Sequence, residues 1–253
     1  MNLQLIRNAT LVLDYGGVRF LIDPDLAPQH ERPSFTGAER NPTVDLPMSL
    51  DDVLIGIDAV VVSHLHADHF DTVAKDVLPK SIPLFCQASD KERIEESGFS
   101  AVQVVEDTII HAGLTIERIG GHHGTGDVEQ LMGQVSGFVF SADNEPTLYW
   151  AGDTVICEEV ESAIKTYQPD VIVTHSGGAM WKNQAGEPVY IIMDALQTVN
   201  VAQQAPDSTV VAVHMEALDH CTTTRLALRD IATQAGISAE RLLIPVDGDM
   251  LTL

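Results

Sequence analysis

The sequence predicts an α/β protein in which sheets of strands are covered by helices, in a single domain spanning residues 1–253. Three observations carry that expectation. The first part of the chain reads as strands, and the remainder mixes apolar strand-like runs with amphipathic helical stretches. No Pro/Ser-rich linker, low-complexity tract or short-period repeat divides it. With 253 residues, 45% of them hydrophobic, the chain can bury most of its apolar surface without staples.

Taken in order, "QLIRNATLVLDYGGVRFLIDP" shows apolar alternation interrupted at Gly16-Gly17, the mark of a hairpin, and stops at Asp23-Pro24. Residues 24–50 carry four further prolines and no periodicity, so a functional loop or lid over a site is expected there. "IDAVVVSH" is apolar throughout, as in a strand buried on both faces. Further strands are expected at "IPLFC", "AVQVV", "LTIERI", "VSGFVF", "TLYWAG", "DVIVTH", "TVVAVH" and "LLIPV". Between them, "ASDKERIEESG" reads as a helix capped by Ser89 or Asp90 and stopped by Gly98. "TVICEEVESAIKTYQ" puts Ile156, Val160, Ala163, Ile164 and Tyr167 on one face, and "MDALQTVNVAQQA" is a second helix. "TTTRLALRDIATQAG" spaces Leu228, Ile231, Ala232 and Ala235 helically, with Gly236 closing it.

The charge balance, 37 acidic against 14 basic residues for a net of −23, opposes binding to phosphate backbones or anionic lipid. No nucleic-acid or membrane partner is therefore expected. No apolar run approaches a membrane span, and the N-terminal stretch lacks the pattern of a secretory signal, so the expected location is cytoplasmic. Cys86, Cys157 and Cys221 are odd in number and scattered, which suits a reducing compartment and buried, unreactive roles.

The chemistry concentrates in "VVVSHLHADHFD", residues 60–71, where His64, His66, Asp68 and His69 fall within six positions after an apolar strand. His64 and His66, two apart in extended backbone, can point the same way. Imidazole with carboxylate and no nearby cysteine suits zinc or a similar first-row ion. A lone histidine is usually structural, but four potential ligands at fixed offsets are hard to explain so. Three more apolar strands end in potential ligands: "LTIERIGGHHGTG" in His122 and His123, "TLYWAGDT" in Asp153, and "TVVAVHMEALDH" in His214. Strand termini converging on one sheet edge are where such folds build their sites, and these stretches together suffice for two ions.

With these residues in place, the chain resembles the metallo-β-lactamase superfamily. "HLHADH" matches its HxHxDH signature, and the strand-end Asp23 of "FLIDP", a histidine of "GGHHG", Asp153 of "AGDT" and His214 of "AVHME" follow in the family's order. The match runs from about residue 3 to the C-terminus. The resemblance implies an αββα sandwich, two mixed sheets flanked by helices, with a binuclear site at one edge. It implies that His64, His66 and one of the paired histidines hold the first metal, and that Asp68, His69 and His214 hold the second, with Asp153 bridging. His123 is favoured over His122 because the family's third-motif histidine commonly precedes a Gly, Thr or Ser turn, as in "HGTG". Asp23 is expected to orient a ligand histidine rather than to ligate.

The function so implied is a binuclear metal-dependent hydrolase. A metal-bridging hydroxide would cleave a small-molecule ester, lactone or phosphoester. Asp68 and Asp153 are the catalytic carboxylates, Asp68 also taking or relaying a proton. Two divalent ions are expected, zinc or manganese in its place. Within the superfamily, the "LIDP" strand, the 24–50 loop and "PDVIVTHSGG" look most like the branch containing ascorbate-6-phosphate lactonase. Alternatives are a phosphodiesterase- or phospholipase-like hydrolase, or a non-hydrolytic di-metal redox or binding protein. His175 is either a substrate contact or a structural turn residue, and His220 is either an outer donor or proton shuttle or an exposed N-terminal residue of the last helix. His30, Trp150 and Trp181 are candidates for lining the pocket, and His111 reads as a surface turn residue. The expected partner is a small-molecule substrate; self-association into a homo-oligomer is left open.

Overall fold

The computed structural model describes all 253 residues. Its chain opens with three antiparallel strands, β1 (Asn2–Arg7), β2 (Thr10–Tyr15) and β3 (Val18–Ile22). The β2–β3 turn is made by Gly16 and Gly17, both at positive φ, which a two-residue hairpin turn of this twist requires. After the 23–49 segment come α1 (Leu50–Leu54), β4 (Ala59–Val62), α2 (Thr72–Val77), β5 (Leu84–Cys86), α3 (Lys91–Glu96) and β6 (Val102–Val104). β3 through β6 pair in parallel, and the first sheet runs β1-β2-β3-β4-β5-β6.

The second sheet begins with β7 (Thr108–His111), β8 (Leu114–Ile119) and, beyond α4 (Asp127–Met132), β9 (Gly137–Ser141). It continues with β10 (Leu148–Trp150), α5 (Glu158–Tyr167) and β11 (Val171–His175). A small hairpin, β12 (Met180–Lys182) with β13 (Pro188–Tyr190), precedes α6 (Ala195–Gln204), β14 (Thr209–Val213), α7 (Arg225–Gln234) and β15 (Leu242–Leu243). The strand order is β15-β14-β11-β10-β9-β8-β7. The final strand, β16 (Met250–Thr252), returns to pair with β1.

Strand alternation divides the core into three layers. Facing sides of the two sheets, with Phe20, Val61, Phe138, Trp150, Val173 and Val213, form the central cluster. The outer face of the first sheet, with Val60 and Val62, is covered by Val53, Ala74 and Ile94 of α1–α3. The outer face of the second, with Tyr149, Ile172 and Ala212, is covered by α5, α6 and α7. The helix–sheet–sheet–helix order follows, as the resemblance implied. Helix entries are set locally: Asp71, Asp194 and Thr224 each accept an N–H three residues on, from Ala74, Gln197 and Ala227.

The reading from sequence overlooked α1, α2, α4, β7, the β12–β13 hairpin and β16. All are short, six residues or fewer, and too brief to display a period. Residues 23–49 contain no helix or strand, only an isolated bridge between Arg32 and Asn41. They are held from below by Arg7, fully buried at the end of β1. Its guanidinium donates to the Asp25, Ala27 and Val44 carbonyls at 2.9, 2.9 and 3.0 Å. The Asp25 carboxylate accepts from Arg32 at 2.7 and 2.5 Å and lies 3.4 Å from Arg7.

Cys86 is fully buried on β5, and burial pushes its thiol up to about 12, while Cys157 and Cys221 are partly exposed. A thiol reagent at pH 8 should therefore leave Cys86 unmodified in the native protein and label it only after denaturant is added; native labelling at Cys86, read by peptide mass, would contradict this packing. His111 is no loose surface turn residue: it closes β7 with its ring edge-on to Phe85 and Phe20.

Candidate metal centre

Six strand ends meet at one end of the sandwich: β3 and β4 of the first sheet, and β8, β10, β11 and β14 of the second. Asp23 follows β3, His64 and His66 follow β4, His123 lies beyond β8, Asp153 beyond β10, His175 ends β11, and His214 follows β14. Asp23 and His214 both take positive φ, 44° and 59°, a strained conformation for residues with a side chain. The abrupt turn lets each side chain leave its strand and enter the site.

Two groups of ligand atoms form, each within 4.8 Å: His64, His66 and His123, and His69, Asp153, His175 and His214. Asp68 sits beside the second, its Oδ2 3.2 Å from His214 Nε2 and 3.5 Å from His69 Nε2. Asp153 Oδ2 lies between the groups, 3.1 Å from His69 Nε2, 3.6 Å from His123 Nε2 and 3.9 Å from His64 Nε2. Asp153 Oδ1 is 3.6 Å from His214 Nε2.

The outer nitrogens of His64, His69, His123 and His214 each face a partner, which turns the inner ones toward the centre. His69 Nδ1 meets Asp23 Oδ2 at 2.6 Å, and His123 Nδ1 donates to the Ile191 carbonyl at 2.7 Å. Ser63 donates its hydroxyl to Asp23 at 2.6 Å, so it accepts from His64 Nδ1 at 2.9 Å. His214 Nδ1 faces the Cys221 sulfur at 3.6 Å. His64 Nε2 and His214 Nε2 are buried yet make no hydrogen bond of acceptable geometry. Orphaned imidazole nitrogens converging on carboxylates are what divalent first-row ions need, so the residues present fit a metal. His66 differs in turning Nδ1 inward, 3.3 Å from His123 Nε2.

The electrostatics agree. Burial alone would raise the Asp68 and Asp153 pKa values, but the neighbouring histidines, His69 foremost, hold both carboxyls well below the ordinary range. Burial opposes charge on His69 and His214 too, yet the carboxylates, Asp153 first, lift both well above the histidine norm. Burial takes His123 down to about 4 and holds His64 well below the histidine norm, leaving neutral imidazole, the ligating form.

The other candidates separate cleanly. His122 turns away from the cluster, 2.7 Å from Glu129 and 3.2 Å from Glu159, so it contacts neither the centre nor its cavity. His175 is fully buried, 2.5 Å from Asp153, and touches no cavity surface, which removes the substrate-contact reading. His220 is not an exposed first residue of α7: it precedes that helix, is half-buried and lines the cavity, its Nδ1 making no hydrogen bond and lying 3.6 Å from Asp219 Oδ1. Trp181 also lines it, whereas Trp150 is in the central core and His30 is exposed beside Glu39. Sequence reasoning missed Ser63, Ile191 and Asn8. Asn8 accepts the His214 N–H at its carbonyl, 2.9 Å away, and donates its amide to the Asp68 carbonyl at 3.3 Å. Backbone contacts of this kind leave no mark on residue type.

Above the centre opens a cavity of about 320 Å³ reached by His66, Asp68, His123, Asp153 and His214. Its walls are apolar: Phe35, Leu131, Met132, Trp181, Ile191 and Ile192 among them, with no Lys or Arg. Phe35 comes from the 23–49 segment, which Asp219 pins in place by accepting from Ser34, Thr36, Asn41 and the Glu39 N–H. Those four donors hold the Asp219 carboxyl well below the usual range despite partial burial.

Residues 18–215 match the family model described as a beta-lactamase superfamily domain. The chain is 41% identical, over the full length of both, to the UPF0173 protein YddR of Bacillus subtilis (strain 168). Two solved structures are similar over all of this chain and 99% of their own. One is a possible metal-dependent hydrolase from Veillonella parvula DSM 2008, at TM-score 0.95 and 36% identity. The other is an isothiocyanate hydrolase from Delia radicum gut bacteria, at TM-score 0.91 and 37% identity. The extent of the family match, with the sandwich and the histidine–aspartate cluster at its edge, shows that this chain belongs to the metallo-β-lactamase superfamily of metal-dependent hydrolases.

Proposed function

We propose that the protein is a two-metal hydrolase of small, neutral, apolar electrophiles, with isothiocyanates the leading class. The observation that carries this is the cavity: it opens directly onto the histidine–aspartate centre and offers a substrate apolar walls and no cation. Of the esters, lactones and phosphoesters left open by the sequence, it favours neutral ones. A phosphate remote from the scissile bond, as on a phosphorylated lactone, would find no Lys or Arg to pair with. Likeness to an isothiocyanate hydrolase at 37% identity supports the narrower class.

In this reading His64, His66 and His123 hold one ion, and Asp68, His69 and His214 the other, with Asp153 between them. The donor set of imidazole and carboxylate without cysteine suits zinc, or manganese in its place. Ions bound there would supply Lewis acidity, lowering the pKa of water toward neutrality and polarising the electrophile. Asp68, kept ionised and facing the cavity, accepts the proton that water gives up. Phe35, Trp181, Ile191 and Ile192 strip bulk water from the substrate and hold its apolar group. Net, R–N=C=S and water give the amine R–NH₂ and carbonyl sulfide: oxygen bonds to the central carbon, both protons end on nitrogen, and the C–N bond breaks.

The test is turnover by zinc- or manganese-loaded protein of benzyl isothiocyanate, a neutral lactone, an aryl acetate and an aryl phosphodiester, with His66→Ala as control. Amine release from the isothiocyanate at kcat/KM at least about tenfold above the phosphodiester is expected. Preference for the phosphodiester would refute the substrate class, and activity untouched by His66→Ala would refute the metal mechanism. A neutral lactone or ester is the second reading, since the same walls admit it.

A further inference from the structure

His175 stands among the ligand atoms of the second group, within 4.8 Å of His69, Asp153 and His214, and could be mistaken for a ligand. Its partners say otherwise. The Trp150 indole N–H reaches His175 Nε2 at 3.0 Å. An indole nitrogen only donates, so Nε2 must carry the lone pair. A neutral imidazole then has its proton on Nδ1, which lies 2.5 Å from Asp153 Oδ1 and donates to it. Both ring nitrogens are spent, leaving none for an ion.

From this we infer that Trp150 and His175 form a fixed relay that occupies Asp153 Oδ1 and leaves Oδ2 as the single oxygen presented to both metal positions. His175 is a positioning residue. The relay is a product of strand register. Val171, Val173 and His175 point to one face of β11, so His175 continues the central core layer that contains Val171, Val173 and Trp150. Trp150 lies opposite Val173 on the neighbouring strand, one inward position below His175. Asp153 Oδ2 faces His69, His123 and His64, whereas Oδ1 faces His175 and His214. Were the carboxylate free to rotate, it could chelate one ion with both oxygens and leave the other short of a ligand. Two fully buried rings prevent that.

The inference rests on the metal reading above, and its test separates the two. In ¹⁵N-labelled, metal-loaded protein, long-range ¹⁵N–¹H correlations should show His175 as the Nδ1–H tautomer. Trp150→Phe, which removes the donor while Asp153 still accepts from Nδ1, should keep that tautomer but shift the Nε2 resonance. Chelator competition should find metal affinity about 10–100-fold weaker in His175→Phe, which fills the space but donates nothing. The cobalt-substituted spectrum of that variant should also shift. His175→Asn, whose amide can donate from near the Nδ1 position, should recover most of the affinity. If wild-type protein retains no metal after dialysis, the metal reading fails. If metal binds but His175 is the Nε2–H tautomer, or His175→Phe and His175→Asn behave alike, the relay is overturned.

Discussion

Replacing Asp153 by asparagine should produce the largest functional loss of any single change at the proposed centre. The amide keeps the shape and can still accept from His175 through oxygen, but it removes the one negative charge facing both histidine groups. Loss of an outer partner of a ligand costs about 10–100-fold in metal affinity or activity. Losing the shared anchor itself should exceed that, and kcat should fall by ~10³-fold or more, the scale seen when a preorganised electrostatic group is removed. Elemental analysis after dialysis should find less than one ion per chain. Retention of two ions and half the rate would refute the bridging role.

Arg7→Met should give the largest loss of stability. Arg7 is fully buried, and its guanidinium satisfies three carbonyls of the 23–49 segment besides lying 3.4 Å from Asp25. Methionine fills much of the volume but leaves those three carbonyls without a donor and takes one of its two guanidiniums from the buried Asp25 carboxylate, which Arg32 alone then pairs. Breaking one partner of a buried ion pair costs about 3–5 kcal/mol. In a chain of this size that is on the order of 10 °C in melting temperature. Arg93→Met, on the exposed face of α3, is the control and should shift melting by a degree or two. Equal shifts in the two variants, measured with the same metal content, would show that Arg7 is not the anchor described. KM should rise in Arg7→Met as well, since the segment it holds carries Phe35 to the cavity.

The layered sandwich was legible because it is written in long, regular signals. Apolar runs such as Val60–Val62 and Val171–Val173 make strands, and α5, α6 and α7 are ten residues each, long enough to show a stripe. The cluster was legible too, because His64, His66, Asp68 and His69 crowd a short span after a strand and the remaining residues follow other strands. What sequence concealed were contacts independent of side-chain type. The Ile191 carbonyl that orients His123 could belong to any residue, as could the Asn8 carbonyl beneath His214. His122 stood as the alternative to His123, and His175 as a substrate contact or a turn residue; only the folded chain shows that His175 continues the core face of its strand while His122 meets two glutamates. The cavity was legible only in part: Trp181 and the 24–50 loop that carries Phe35 were expected at the site, whereas Leu131 and Ile192 come from stretches that nothing in their composition distinguishes.

The bond from His123 to Ile191 ties chemistry to selectivity through one stretch of backbone. Ile191 follows β13 of the small hairpin, and its side chain walls the cavity while its carbonyl steers a candidate ligand. Side-chain exchange at 191 or 192 can therefore reshape the substrate chamber while the metal-facing geometry stays put. An insertion or deletion in the hairpin would disturb both at once. On the Phe35 side the bond to a metal-facing histidine comes from Asp23, at the very start of the segment, while the stretch around Phe35 is moored through Asp219 and Arg7 instead. Diversification of substrate range in proteins of this build should thus proceed by loop-length change on the Phe35 side and by point substitution on the Ile191 side.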